Sequence, residues 1–309
     1  MKAILYRSYG GPEVLEYADM PDPTVGEGEV LVRLQAACVA PLDWKLRAGI
    51  LQQHFKTTFP AVPGRDGAGV VEAIGAGVID LVPGDRVCVM AGHTHQGTYA
   101  EKIAVPRASV APCPTSLSPV QAVACLNAGI NAYTCFTMAD IQPRQRVLIH
   151  GGSGAVGGIL VQLCHAWGAD VTATCRASNR HYVTGLGANR AIAYDSEDFG
   201  LLRDIDTVFD VIGGAVHDRS YAVLRRGGTL IYLHALPIVD RGAEFGVTVK
   251  LGYKGPADDP DMIGRVIDMM ASGAFRPQVS SIMRLSQAAE AHRLIQSGQV
   301  TRGRLVLTM

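Results

Sequence analysis

The chain has 309 residues, a length that predicts about two domains. Its 28 basic and 28 acidic residues balance. This balance argues against nucleic acid or an anionic membrane surface as a partner, because both attract a basic excess. No apolar run reaches the length of about 18 residues that a membrane span needs. The start at Met1–Tyr6 resembles a strand rather than a signal peptide, so we expect a cytoplasmic protein.

The seven cysteines are scattered along the chain, and no two of them form a C-x-x-C pair. Metal sites and redox dithiols need such close pairs. Most of the cysteines have apolar neighbours, so we expect buried free thiols.

Residues 1–118 form short strand-like runs that glycine and proline separate. The runs are Glu29–Ala36, Gly67–Ile74, Arg86–Met90 and Thr98–Pro106. Short mixed strands with frequent turns are typical of a partly closed β-barrel.

From Pro119 onward, strand-like runs alternate with helical stretches. Helical spacing covers Gln121–Met138 and Ala155–Trp167, and the strand-like runs are Arg146–His150, Asp170–Thr174, Thr207–Ile212 and Gly228–Leu233. This alternation predicts βαβ units and a doubly wound parallel sheet. The helix Gln287–Ser297 and the strand Arg304–Leu307 follow no such pattern, and we expect them to return to the first domain.

A glycine-rich loop between the first strand of this region and its helix matches G-x-G-x-x-G. Its residues are Gly152, Ser153, Gly154, Ala155, Val156 and Gly157. In dinucleotide-binding loops the first glycine allows a tight turn, the second a close approach of the pyrophosphate, and the third close packing of the helix on the sheet. The helix N-terminus then faces the phosphates. The alternative is a glycine-rich turn without a ligand.

The residues after the second strand indicate which dinucleotide binds. NAD sites place an acidic residue about 20 positions after the glycine loop, where it contacts the ribose. Thr174–Arg180 has no acid, and Arg176, Ser178 and Arg180 favour a 2′-phosphate instead. The sequence therefore predicts NADPH. In the alternative interpretation, both arginines are solvated residues at the start of a helix.

Eight motifs are distributed over nearly the whole chain. They are GGPEVLE at 10–16, APLDWKLRAG at 40–49, FPAVPGRDGAGVVEAIGAGV at 59–78, PGDRV at 83–87, GTYAE at 97–101, HGGSGAVGG at 150–158, FDVIGG at 209–214 and TRGRLVL at 301–307. Together they resemble the zinc-lacking quinone oxidoreductase branch of the medium-chain dehydrogenase/reductase superfamily. The resemblance implies a GroES-like, partly closed β-barrel domain over 1–118 and 275–309. It also implies an α/β Rossmann domain that binds NADPH over 119–274, in which Tyr194 contacts the cofactor.

The resemblance also bears on zinc. Ala40, Arg65 and Asn127 stand where alcohol dehydrogenases of the family carry Cys, His and Cys. None of these three is a usual zinc ligand, so no metal is expected. His93 and His95 have no third ligand in their loop, and we interpret them as surface residues.

Without zinc as a Lewis acid, alcohol oxidation is disfavoured. The resemblance implies hydride transfer from NADPH to a small-molecule quinone or enone, which delocalises the developing charge over its own carbonyl system. Asp43, Asn131 and Tyr133 are the catalytic candidates near that carbonyl, within the turn Asp43–Lys45 and the stretch around Asn131. Alternatively, Asp43 caps a short helix Trp44–Ala48, and Tyr133 packs in the core.

Two departures from the family bear on substrate choice. Ala40 replaces an asparagine that lies near the nicotinamide in quinone oxidoreductases, and Asn131 replaces a threonine. Two other functional classes stay open, a zinc-dependent alcohol dehydrogenase and a non-catalytic NADPH-binding or structural protein.

Gly246–Tyr253 is predicted as the last strand of the Rossmann sheet, and pairing of this edge strand predicts a homodimer.

Overall fold

The computed structural model describes residues 1–92, 96–234, 236–254, 259 and 261–309. The described chain divides into two compact units. The first unit comprises residues 1–127, 263–271 and 277–309, and the second comprises 128–262 and 272–276. The domain limits at 118 and 275 stay a prediction. The predicted surface residues His93 and His95 lie outside the described residues.

Strands and helices are numbered in chain order over the described residues. The strands are β1 (Lys2–Leu5), β2 (Glu16–Asp19), β3 (Glu29–Val39), β4 (Asp66–Ile74), β5 (Arg86–Met90), β6 (Lys102–Pro106), β7 (Val110–Pro112), β8 (Arg146–Ile149), β9 (Asp170–Cys175), β10 (Arg190–Ala193), β11 (Ile205–Asp210), β12 (Leu224–Tyr232), β13 (Thr248–Leu251), β14 (Val279–Arg284) and β15 (Arg304–Thr308). The helices are α1 (Pro41–Arg47), α2 (Pro119–Ala139), α3 (Ala155–Ala166), α4 (Arg180–Gly185), α5 (Ala215–Ser220), α6 (Gly242–Phe245), α7 (Met262–Ala271) and α8 (Ala288–Gln296).

The first unit is built on a sheet in which β14, β15, β3, β4, β5 and β7 follow one another, while β6 pairs with β3. Alternate residues of β3, such as Val30, Val32 and Leu34, are buried in a core of aliphatic side chains. The last strand, β15, runs antiparallel to β3 and pairs Leu305 with Val39. The predicted return of the C-terminal segment to the first domain and the GroES-like fold are therefore confirmed.

The second unit contains a parallel sheet with the described strand order β10-β9-β8-β11-β12-β13. Numbered within the unit, this order is 3-2-1-4-5-6, the arrangement of doubly wound dinucleotide-binding folds. Its central strand β8 buries Val147, Leu148 and Ile149 completely. The predicted Rossmann fold is confirmed. The predicted last strand forms at the sheet edge, where it is limited to Thr248–Leu251.

Several predicted elements have different limits in the structure. The predicted strand Thr98–Pro106 begins only at Lys102, because the N–H groups of Thr98 and Tyr99 donate to the carbonyls of Gly64 and Pro63. The predicted short helix Trp44–Ala48 is present but begins three residues earlier and ends one residue earlier, since one helix spans Pro41–Arg47, and the predicted turn Asp43–Lys45 is wrong. Proline is well accommodated at the first position of a helix, where its missing N–H would have no partner.

All seven cysteines are buried free thiols, as predicted. Within the described part of the chain, no helix has the length and apolar character that crossing a membrane requires.

Candidate functional site

The glycine loop lies between β8 and α3 in the second unit. A positive φ of 70° occurs at Gly151 and not at Gly152, so the tight turn falls one residue earlier than predicted. Gly152 is needed for another reason, because a Cβ there would lie 2.7 Å from the Cβ of Ala173 on β9. At Gly157 a Cβ would lie 2.2 Å from the carbonyl oxygen of Gly151. The first and third glycines of the motif therefore hold the loop and α3 against the sheet.

Gly154 differs from these two glycines because it is not confined by the sheet. It is the residue before α3, and a Cβ there would meet only the Gly151 carbonyl oxygen, at 3.3 Å, among the described residues. Gly154, Ala155 and Val156 are partly exposed. The first N–H groups of a helix have no partner within the helix and bind phosphate well. The open side of this loop thus fits a pyrophosphate.

Buried side chains that the sequence analysis did not identify hold the glycine loop in place. His150 Nδ1 lies 3.2 Å from Thr174 Oγ1, and His150 Nε2 lies 3.1 Å from Ser220 Oγ. Thr174 Oγ1 also accepts the N–H of Gly151 at 3.2 Å. Burial lowers the pKa of His150 to about 4, so this imidazole is neutral at pH 7. A neutral ring donates from one nitrogen and accepts at the other, which suits its two hydroxyl neighbours.

A second anchor reaches the loop from the segment between β9 and α4. The Nδ2 atom of buried Asn179 donates to Ser153 Oγ at 3.3 Å. Asn179 directly precedes Arg180, so this bond ties the glycine loop to the segment that carries the predicted phosphate-binding residues.

The residues predicted to bind the 2′-phosphate of the ribose form two groups. Arg176 is exposed, and its Nε donates to the Tyr194 hydroxyl at 3.1 Å. The structure therefore brings together Arg176 and Tyr194, which lie 18 positions apart. Arg180 instead forms an ion pair with Glu197. Ser178 is exposed beside them.

Two acidic residues near this site follow the third strand of the unit and were missed by the sequence analysis. The Asp195 carboxylate accepts the N–H of Ala177 at 3.0 Å, and Glu197 accepts the N–H of Ala193 at 2.8 Å besides pairing with Arg180. Within the described chain Arg176 forms no ion pair, so its charge is available to a phosphate. The site fits an adenosine dinucleotide that carries a 2′-phosphate, with Arg176 as the better placed cation.

The first unit has a pocket of about 410 Å³. Its lining includes cationic, acidic and hydroxyl side chains, among them Tyr6, Asp43, Lys56, Thr57 and Arg65. Of these, the sequence analysis identified only Asp43 as a candidate for contact with a substrate. Arg65 lies in the motif at 59–78 but was considered there only as a metal-ligand position, and Tyr6, Lys56 and Thr57 lie outside the motifs.

Asp43 is buried at the wall of this pocket, and its carboxylate is already engaged. Its Oδ2 accepts the N–H of Ala40 at 2.8 Å and the hydroxyl of Tyr99 at 3.0 Å. The first of these bonds stabilises the start of α1 from its third residue, so Ala40 is the N-cap and Asp43 is not. Burial raises the pKa of Asp43 to about 6, although both hydrogen bonds favour the charged form. Its predicted catalytic role stays a prediction.

Asp66 lies next to Arg65 and is also buried. Burial raises its pKa to about 7. The positive charges of Arg65 and Arg304 favour the carboxylate and lower the pKa, but their effect is smaller than that of burial. Its Oδ1 has no hydrogen-bond partner among the described residues. The N–H of Asn127 donates to the same carboxyl group.

The positions that hold catalytic zinc in family alcohol dehydrogenases therefore carry side chains that do not fit zinc. Ala40 offers no donor atom. Arg65 is a cation whose Nε donates to the carbonyl of Ala91 at 3.2 Å. A metal ion placed here would be repelled by the guanidinium, and neither alanine nor arginine is a usual zinc ligand.

The raised pKa of Asp66 predicts a pH-dependent stability. An unfolded aspartate titrates near 3.8, so between pH 4 and 7 the unfolded chain loses this proton while the native protein keeps it. The free energy of unfolding should therefore fall as the pH rises. Between pH 5 and 8, Asp66 alone contributes a loss of about 2–3 kcal/mol.

Asp66→Asn replaces the protonated carboxyl group by an uncharged amide of similar size and should remove the part of the pH dependence that Asp66 causes. Chemical denaturation of wild type, Asp66→Asn and the exposed control Asp170→Asn at pH 5 and pH 8 measures it. Equal pH dependence in all three proteins would contradict the prediction.

Asn131 and Tyr133 lie on α2, in the second unit, and both are half-buried. Helix residues two positions apart do not face the same direction. The two side chains therefore do not converge on one point. Contact of either with a substrate carbonyl stays a prediction.

Comparisons with known proteins agree with this fold. Residues 26–115 match the model of the alcohol dehydrogenase GroES-like domain, and residues 186–307 match that of the zinc-binding dehydrogenases. The 2-methylene-furan-3-one reductase of Solanum lycopersicum is 31% identical over 99% of this chain and 79% of its own length. The chloroplastic NADPH-dependent alkenal/one oxidoreductase of Arabidopsis thaliana shows the same identity and coverage. The quinone oxidoreductase structure from Coxiella burnetii covers 100% of this chain and 99% of its own, with 29% identity and a TM-score of 0.89.

Proposed function

The chain belongs to the medium-chain dehydrogenase/reductase family, and we propose that it is a zinc-independent reductase that transfers hydride from NADPH to a small-molecule quinone or enone. The observation that carries this proposal is the pocket of the first unit, where Arg65 replaces a metal ligand. A fixed positive charge in such a pocket suits an acceptor whose oxygen becomes negative during reduction. The relatives that reduce alkenals, enones and quinones support the same substrate class.

In the proposed enzyme, the second unit holds the cofactor. The N–H groups at the start of α3, beyond Gly154, bind the pyrophosphate, and Gly152 and Gly157 keep the loop in position. Arg176 and Tyr194 bind the 2′-phosphate, with Ser178 and Arg180 beside them. Bound NADPH supplies a hydride, the chemistry that none of the side chains provides.

In the same proposal, the first unit contributes polar groups that orient the acceptor. Arg65 stabilises negative charge that develops on the carbonyl oxygen of a quinone or enone. Such acceptors delocalise part of this charge themselves, so a guanidinium can take the place of a metal. Asp43 remains a candidate for a contact that positions the acceptor, and a contact of Asn131 or Tyr133, which belong to the second unit, stays a prediction.

A panel assay that follows NADPH absorbance tests the proposal. We expect turnover with 1,4-naphthoquinone or a small enone and none with primary alcohols and NADP⁺. Arg65→Ala should lower kcat/KM for the acceptor by about ten- to a hundredfold, as expected for the loss of one charged contact. Its NADPH affinity should be unchanged, and exposed Arg33→Ala serves as the matched control. NADPH binding without turnover on any acceptor would favour the non-catalytic alternative.

Metal independence is a separate expectation. Because Ala40 and Arg65 occupy two former ligand positions, protein stripped by exhaustive chelation should keep its full quinone or enone reductase activity. Metal content and turnover of the same sample are compared before and after chelation. Bound zinc whose removal abolishes turnover would instead support the zinc-dependent alternative.

The edge strand β13 predicts a homodimer. It pairs with β12 on one side, and an edge strand presents unpaired N–H and C=O groups on the other. Pairing with the same strand of a second copy satisfies them. Sedimentation over a range of protein concentrations should give twice the chain mass, and a monomer mass at every concentration would contradict the prediction.

A further inference from the structure

A cluster of two histidines and one aspartate lies in the second unit and includes none of the residues of the glycine loop. Asp210 is the last residue of β11, His217 belongs to α5, and His234 follows β12 by two residues. All three side chains are buried, with exposed fractions of 0%, 1% and 6%. Asp210 and His234 lie at the carboxyl ends of two neighbouring parallel strands, the edge at which doubly wound sheets bind ligands.

The donor atoms of the three side chains converge. Asp210 Oδ2 lies 3.0 Å from His217 Nδ1 and 3.3 Å from His234 Nε2. The donor atoms of the three residues all lie within 4.8 Å of one another. A tetrahedral zinc ion about 2.1 Å from each ligand keeps its donor atoms about 3.4 Å apart. Both distances to Asp210 are close to that separation.

His234 gives an independent indication that something is bound there. Neither of its ring nitrogens has a hydrogen-bond partner among the described residues, although only 6% of the side chain is exposed. The contact between Nε2 and Asp210 is short but lacks the geometry of a hydrogen bond. Leaving a buried polar group unsatisfied is costly, and native proteins rarely do so without a ligand or an ion.

The surroundings orient the other two ligands. Asp210 Oδ1 accepts the N–H groups of Ile212 and Gly213, each at 2.9 Å, which turns Oδ2 toward the two imidazoles. His217 Nε2 lies 3.2 Å from the hydroxyl of Tyr221, so this ring can donate its remaining N–H outward. Metal-binding histidines and carboxylates are commonly held by such outer hydrogen bonds.

We propose that Asp210, His217 and His234 bind one divalent first-row transition metal ion such as Zn²⁺. Two imidazoles and one carboxylate form a donor set that such ions accept, and three protein ligands leave one position open. The ion would join the ends of β11 and β12 to α5. The site is separate from Ala40, Arg65 and Asn127, and the inference goes beyond the proposed reductase function.

The test measures metal content and not activity. Full-length protein from zinc-supplemented cells is desalted and assayed for bound metal, and stripped protein is titrated with Co²⁺ while its visible absorption is recorded. We expect one equivalent of zinc per chain and Co²⁺ bands typical of four-coordinate nitrogen and oxygen ligation. His234→Ala should lower the metal affinity by about a hundredfold or more, because one ligand of three is lost.

His234 is the better ligand to change, because its ring makes no hydrogen bond with the described residues that the metal-free fold would lose. His234→Gln provides a second variant with a longer polar side chain, and exposed His165→Asn is the control that should bind metal as wild type does. Thermal melting of the stripped proteins checks that each variant is folded. Wild type without bound zinc or Co²⁺, or both His234 variants binding as wild type does, would overturn the proposal. Because turnover is not the readout, the result does not depend on the proposed function.

Discussion

Gly154→Ala is expected to lower the NADPH affinity by about a hundredfold while the second unit stays folded. A methyl group at this position meets only the Gly151 carbonyl oxygen, at 3.3 Å, within the described chain. It would, however, occupy the space through which a pyrophosphate approaches the first N–H groups of α3. Loss of hydrogen bonds to a charged phosphate costs about 1.5–3 kcal/mol each, and 1.4 kcal/mol is a factor of ten in affinity.

Two other glycines make this prediction specific. Gly157→Ala would place its Cβ 2.2 Å from the Gly151 carbonyl oxygen, so it should lower the melting temperature as well as NADPH binding. Gly185→Ala introduces a methyl group with no described atom within 4 Å outside its own helix backbone and should change neither. Calorimetric titration with NADPH and thermal melting separate the three outcomes. A folded Gly154→Ala protein with wild-type affinity would show that the loop does not bind the pyrophosphate.

The Rossmann sheet could be predicted from sequence because its strands are buried on both faces. Such strands appear as continuous apolar runs, as Val147–Ile149 does, and their helices begin at recognisable glycines. The limits of α1 were missed for a local reason. Pro41 can start a helix, and Asp43 stabilises that start through the N–H of Ala40, whereas the prediction placed the start after Asp43.

Side-chain partners were harder to predict because they depend on distant segments. Glu197 follows β10 and lies 17 residues after Arg180, yet the two side chains form an ion pair. The same holds for His234, which meets Asp210 only because β11 and β12 are neighbours in the sheet. Spacing along the chain carries no information on such contacts until the strand order is known.

The ion pair with Glu197 changes what is expected of the two arginines. Arg176→Ala should weaken NADPH binding by about ten- to a hundredfold, since one charge-assisted contact is worth about 1.5–3 kcal/mol. Arg180→Ala should have a smaller effect, because Glu197 already compensates part of its charge. NADH lacks the 2′-phosphate, so its affinity should change little in either variant.

The Tyr194 hydroxyl, which accepts from Arg176 Nε, should contribute through the position of that guanidinium. Tyr194→Phe is therefore expected to raise the KM for NADPH less than Arg176→Ala does, and in the same direction. The KM for NADPH and NADH is measured in Arg176→Ala, Arg180→Ala, Tyr194→Phe and the exposed control Arg226→Ala at low salt, where exposed charges are least screened. Equal losses for the two cofactors in Arg176→Ala, or no loss for either, would show that this arginine does not contact the phosphate.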